Sequence, residues 1–193
     1  MINTIETDSD LIQLFLKGEQ KGIERLFNKY QDRLYTYIFF LVRKQEVAED
    51  IFQDTFLKAF NSIKAGKYKD DGRFMSWISR IAHNLVIDYF RDQKKYKVIS
   101  KEEQEDTIFI DNNSSSVEDS IVSQQVLKDI KKLLEYLPKD QREVIVMRNY
   151  LDMSFKEISK ITGVSINTSL GRMRYAIINL RKLIDEHKIN LKI

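Results

Sequence analysis

No cysteine occurs in the 193 residues, which excludes a disulfide framework and a thiolate metal site and is compatible with a reducing compartment. Pro138 is the one proline and there are only six glycines, so long stretches run without a helix breaker. With no alternating apolar pattern of useful length, the expectation is an all-α chain. Histidine is equally scarce. His83 and His187 stand far apart without metal-ligand spacing, and no glycine-rich phosphate loop is present. Neither a metal nor a cofactor is expected, and the chain does not read as an enzyme. No apolar run approaches the ~20 residues needed to cross a bilayer. The first ten residues are acidic and polar, unlike a signal peptide. A cytoplasmic protein without membrane insertion is expected. Net charge is small too, at +3 from 32 basic and 29 acidic residues.

The charges that are present are unevenly placed. Residues 73–97 carry Arg73, Arg80, Arg91, Lys94, Lys95 and Lys97 against Asp88 and Asp92. Residues 170–193 repeat that balance, with Arg172, Arg174, Arg181, Lys182, Lys188 and Lys192 against Asp185 and Glu186. Between them, residues 98–126 set Lys101 alone against Glu102, Glu103, Glu105, Asp106, Asp111, Glu118 and Asp119. Two basic blocks thus flank an acidic segment containing DNNSSSVEDS, whose composition cannot bury enough surface to offset backbone ordering. We expect two small helical domains, at 1–95 and 126–193, joined by a flexible acidic linker at 96–125.

The clearest local pattern lies near the end. Ser154 followed by Glu157 is a capping box, and Met153 with Ile158 occupies the two positions of a hydrophobic staple. Phe155, Ile158 and Ile161 give a short helix one apolar side, and Gly163 can end it with a positive φ. Ser165 then caps a second helix, whose buried face is Ser169, Met173, Ala176, Leu180 and Leu183. So short a turn makes the two helices cross steeply, as in a helix-turn-helix. The exposed side of the second would carry Asn167, Thr168, Leu170, Gly171, Arg174 and Tyr175, suited to base edges in a major groove. Arg172, Arg174, Arg181 and Lys182 suit phosphates.

Upstream, helical spacing predicts helices over 10–17, 22–30, 31–43, 47–63, 74–91, 126–137 and 139–150, with Asp8 or Ser9 capping the first and Pro138 at the first position of the last. In 47–63, Ala48, Ile51, Phe52, Thr55, Phe56, Ala59, Phe60 and Ile63 share a buried face. Glu49, Asp50, Gln53, Asp54 and Lys58 form a polar one that suits a basic protein partner better than DNA. Residues 64–73 (KAGKYKDDGR) read as a loop in which Tyr68 lies between Lys67 and Lys69, a pattern able to stack an unpaired base. In 74–91 the inward set is Phe74, Trp77, Ile78, Ile81, Leu85, Val86, Tyr89 and Phe90. That leaves Arg73, Arg80, His83, Asn84, Ile87, Asp88 and Arg91 on the outer faces. Asn84 has no propensity reason to sit in mid-helix.

Three stretches, AEDIFQDTFLKAF (48–60), FMSWISRIAHNLVIDYFR (74–91) and LPKDQREVIVMRNYLDMSFKEISKITGVSINTSLGRMRYAIINLRKL (137–183), together resemble a bacterial RNA polymerase sigma factor of the extracytoplasmic-function class. This class of the sigma-70 family keeps only the second and fourth regions. The resemblance spans nearly the whole chain. It implies that 1–95 is region 2 and 126–193 is region 4. It further implies that Asp50, Gln53 and Asp54 dock on the clamp helices of the largest polymerase subunit, with the flap of the second subunit as a further partner. Tyr68 and Lys69 would capture a base flipped from the minus-ten element, while Arg80, Asn84, Asp88 and Arg91 face the adjoining bases. Asn167, Thr168, Leu170, Gly171, Arg172, Arg174 and Tyr175 would contact the minus-thirty-five element. Promoter DNA, duplex and single-stranded, and an anti-sigma factor are the other partners implied. Two departures stand out: the 64–73 loop is slightly long, and Leu170 and Gly171 replace a basic residue and Ser found in many relatives. The rival reading is a stand-alone helix-turn-helix regulator that binds duplex DNA as a dimer.

Overall fold

A computed structural model of the protein describes residues 7–99 and 133–187, and every element in it is helical. Helices α1 (Asp8–Leu16), α2 (Gln20–Val42), α3 (Gln45–Lys64) and α4 (Phe74–Ile99) form a first group. Helices α5 (Lys139–Asn149), α6 (Phe155–Thr162) and α7 (Ile166–Glu186) form a second. Residues 133–136 add a helical turn before α5. The acidic segment expected to link the groups, most of the 126–137 helix and residues 188–193 lie outside the described residues.

Helix ends follow local chemistry, with corrections. Thr7, rather than Asp8 or Ser9, caps α1, in a reciprocal box with Asp10 whose carboxylate accepts from the Thr7 amide at 2.9 Å. Residues 20–42 make one helix where two were expected at 22–30 and 31–43, because no breaker interrupts them. That helix ends on Arg43 in the left-handed region, at φ 58°. Helix α4 runs past Asp92, where the composition turns polar, to Ile99, so the expected boundary at 95 falls inside a helix. Pro138 stands at the N-cap of α5, one position earlier than expected.

The first core is aromatic. Phe27 meets Phe56 at 4.8 Å between ring centroids and Phe52 at 5.6 Å, and Phe15 meets Phe60 at 5.6 Å, which ties α1, α2 and α3 together. Gly22 lets α1 and α2 approach. A Cβ there would lie 2.5 Å from the Leu11 carbonyl oxygen and 2.7 Å from the Phe15 nitrogen, and backbone cannot swing aside. The second core gathers Leu133, Leu134, Val144, Met147, Met153 and Ile158, all nearly or wholly buried.

The two groups also pack on each other, which the residue pattern did not foretell. His83, expected on an outer face of α4, is buried. Its Nδ1 lies 3.1 Å from the Tyr37 hydroxyl and 2.9 Å from Oε1 of Glu143 on α5. Phe40 of α2 meets Tyr150 at 6.1 Å, and Lys139 sits 4.0 Å above the Phe90 ring. Tyr37 and Phe40 are buried on this side of α2, where Tyr150, more than 100 positions further on, covers Phe40.

Candidate nucleic-acid interface

The helix-turn-helix forms as its sequence dictates. The Ser154 hydroxyl accepts from the Glu157 amide at 3.3 Å, while Glu157 Oε2 accepts from the Ser154 amide at 2.9 Å. Met153 and Ile158 are both buried beneath this cap. Gly163 ends α6 at φ 71°, and Ser165 caps α7 by accepting from the Thr168 amide at 3.0 Å. Ser169 and Ala176 are fully buried, and Met173, Leu180 and Leu183 pack partly buried against the core. That leaves Asn167, Thr168, Leu170, Arg174 and Tyr175 exposed on one end of α7, with Gly171 half-buried among them. A Cβ on Gly171 would meet nothing within 4 Å. Arg172 is less available than its neighbours, since its guanidinium is held 2.6 Å from Asp140 at the start of α5.

The first group carries a different kind of surface. Where the end of α3 passes α4, Lys58, Asn61, Ser62, Ala65 and Lys67 face Ile81, Asn84, Leu85 and Asp88 across an open cavity of about 540 Å³. Two ammonium groups, two carboxamides and an apolar floor suit a planar heterocycle with a phosphate beside it. Arg80 and Arg91 are exposed on the same helix as Asn84, and Arg91 pairs with Asp88 at 2.9 Å.

Tyr68 does not line that cavity. Its ring packs 4.5 Å from Trp77 and 5.8 Å from Phe74, its hydroxyl donates to Asp70 at 3.3 Å, and burial with the Asp70 charge pushes its ionisation far up. Asp70 accepts from Ser9 and from the Gly72 amide, contacts that hold its carboxyl below the usual range and tether the loop to α1. Lys69 is exposed beside them. On α3, Asp50, Gln53 and Asp54 share an exposed face with Leu57, which is 60% exposed.

Two family models match the chain, "Sigma-70 region 2" over residues 26–96 and "Sigma-70, region 4" over 127–169. The RNA polymerase sigma factor YlaC of Bacillus subtilis (strain 168) is 30% identical over 87% of this chain and 97% of its own length. The chain belongs to the sigma-70 family, in its extracytoplasmic-function class. The ECF RNA polymerase sigma factor SigW of the same organism is 28% identical over 86% of this chain and 90% of its own. Among solved structures, the sigma factor RpoE of Bartonella quintana, in complex with the anti-sigma factor NepR, has the same fold. Its TM-score is 0.70 at 24% identity, covering 86% of this chain and 98% of that one.

For this sigma factor, sequence reasoning named the helix-turn-helix and, of the residues lining the cavity, Asn84 and Asp88, but missed Asn61, Ser62 and Lys67. Asn61 and Ser62 on α3 and Lys67 in the loop beyond it meet Asn84 and Asp88 only through the packing of α3 against α4. Leu57 was missed as well. It did leave a signal, an apolar residue on the polar side of α3, three positions beyond Asp54.

Proposed function

We propose that this sigma factor acts in the cytoplasm, binds core RNA polymerase, directs it to specific promoters and promotes their melting. What carries the reading is the presence on one chain of two unlike surfaces. One is a cavity sized and charged for an unpaired base, and the other is an exposed helix end suited to a duplex groove. A regulator that only binds duplex DNA needs the second alone. Extruding a base costs a few kcal/mol, and a pocket that holds the base offsets this only where the right base is present, so recognition and melting become one event.

In this reading Asn84, with Arg80, Asp88 and Arg91, faces the minus-ten bases, and Tyr68 and Lys69 capture the flipped one. Tyr68 has to leave Trp77 and Phe74 to do so, forfeiting about 0.5–1.5 kcal/mol per aromatic pair. Stacking on a base returns about 1–3 kcal/mol, so the exchange is close to balanced and is tipped by the phosphate held at Lys67 and Lys69. Asn167, Thr168, Leu170, Gly171, Arg172, Arg174 and Tyr175 contact the minus-thirty-five element, with phosphate displacing Asp140 from Arg172. Asp50, Gln53 and Asp54 meet the clamp helices of the largest polymerase subunit. The flap of the second subunit and an anti-sigma factor are further partners.

Transcription in vitro with purified core polymerase and a randomised promoter pool tests this. The expected result is transcripts from a narrow promoter set, with Asn84→Ala and Tyr68→Ala each slowing open-complex formation about tenfold. Tight binding of the chain alone to dyad-related duplex sites, with no effect on polymerase, would overturn it in favour of a stand-alone regulator.

A further inference from the structure

The exposed end of α7 is short of charge. Residues 166–171, its first turn and a half, include no acid and no base. Arg172 follows, but its guanidinium is held 2.6 Å from Asp140 and its side chain is only 24% exposed. Guanine is read in the major groove by a cationic fork that donates to O6 and N7 together. The start of α7 does not supply that fork.

What it presents instead is aliphatic. Ile166 and Leu170 are each 44% exposed, while Ser169 beside them is wholly buried. Standing four residues apart, they form one row on the helix, about 6 Å from each other along its axis. Arg174, four residues further, continues the row, and Asn167 borders it, both exposed. Thr168 is committed elsewhere, because its hydroxyl lies 2.8 Å from Ser165 Oγ, the oxygen that caps the helix. The Asn167 carboxamide is left to meet a base edge, and its donor and acceptor match adenine N7 and N6.

Composition and base chemistry decide what fits this row. Residues 163–184 contain no acid but include Arg172, Arg174, Arg181 and Lys182, which favours an anionic partner. In duplex DNA the apolar group on the major-groove edge is the thymine C5 methyl. A polyanion that offers methyl groups between hydrogen-bonding edges matches a helix end that offers two aliphatic side chains beside one carboxamide. Base pairs rise about 3.4 Å each, so side chains about 6 Å apart reach methyls one or two pairs apart.

We propose that Ile166 and Leu170 are specificity-determining residues that read thymine C5 methyl groups in the upstream duplex element, with Asn167 on an adjoining adenine. This element is then recognised through A·T pairs. The proposal rests on the functional reading above only in taking the exposed end of α7 as the duplex-binding surface. Ile166 is added to the contact residues assigned there. Each methyl covered on binding leaves water, and its loss weakens binding about fourfold.

Deoxyuridine tests this, because it differs from thymidine by that methyl alone. Holoenzyme is assembled from the full chain and core polymerase on a promoter taken from the randomised pool, and each upstream thymine is replaced in turn. At one or two positions the wild type is expected to bind about fourfold more weakly. Ile166→Ala and Leu170→Ala should each weaken binding to the thymine promoter by the same factor and lose the distinction between the two bases at one position. Alanine suits an exposed helix position, so both variants keep their fold, which circular dichroism checks. Leu16→Ala, at an aliphatic residue of α1 that is 48% exposed, leaves the preference intact. Equal binding of thymine and uracil promoters by the wild type at every position overturns the proposal. So does a methyl preference that survives both alanine changes. If the variants instead lose affinity for core polymerase without DNA, the row serves a protein and the methyl reading falls. Should the pool yield no transcript, the functional reading fails. The same substitutions are then measured with the chain alone on duplex selected from the pool, where dependence on the methyl supports the proposal and indifference to it overturns it.

Discussion

Glu157 serves two structures with one carboxylate, and its ionisation should therefore be visible in stability. Burial works against its charge, but hydrogen bonds from Ser76 and Ser154, with Arg73 nearby, outweigh it and hold the carboxyl below its ordinary value of 4.5. A depressed carboxylate contributes stability that is fully present above about pH 4.5 and is lost as pH falls through the lower folded value. Glu157→Gln should cost about 1 kcal/mol at neutral pH. Denaturant titrations of the two proteins should converge as pH falls through that lowered value, and a gap that persists in acid would place the effect elsewhere. Two glycines make an opposite pair. Gly22→Ala drives a methyl into the backbone of α1 and should destabilise by about 1–3 kcal/mol despite the better helix propensity of Ala. Gly171→Ala meets open space in mid-helix and should stabilise by up to about 1 kcal/mol. If it also weakens duplex binding, the position is kept open for close backbone approach to DNA.

Among the helices, α3 and α4 carry two of the surfaces proposed above, and they differ in how far the sequence disclosed them. The polar side of α3 was legible because its inward neighbours are all supplied by adjacent helices, so a period of 3.6 marks one buried face. Helix α4 is covered on two sides, and periodicity marked only the one packed on α2 and α3. His83 went the wrong way for that reason. Starts and stops were read more easily, since Ser154, Glu157, Gly163 and Ser165 act within four residues of themselves. The cavity around Asn84 was legible only on its α4 side, in Asn84 and Asp88, because the facing side is assembled by packing. Leu57 gives the prediction at this scale. At 60% exposure, Leu57→Asp should change folding stability by no more than about 0.5 kcal/mol. Centred in the face with Asp50 and Asp54, it should weaken binding to core polymerase at least tenfold, as loss of an apolar anchor does. Unchanged affinity in a pull-down titration would move the docking face off this side of α3. Replacing Asp50 and Asp54 by Lys tests the charged part of the same face by the same titration.

For the whole molecule, the contact between the halves decides whether the chain melts as one unit or two. The buried side chains of both form a continuous cluster, in which Phe40 and Tyr150 meet across the boundary and Lys139 covers Phe90. An aromatic pair and a cation over a ring are each worth about 0.5–1.5 kcal/mol, and the charged hydrogen bond from Arg33 to a carbonyl about 1.5–3 kcal/mol before allowance for its partial exposure. Against these stand the unmet groups at Glu143 and Arg142, so the net coupling is a few kcal/mol at most. That is enough to hold two small helical bundles in one transition when their own stabilities are similarly small. Calorimetry of the wild-type chain should show a single endotherm. Removing Arg33 and Lys139 together, by substitution with Ala, should split it into two, because neither side chain belongs to the interior of its own bundle. Two separate endotherms in the wild type would mean that the halves touch without sharing stability.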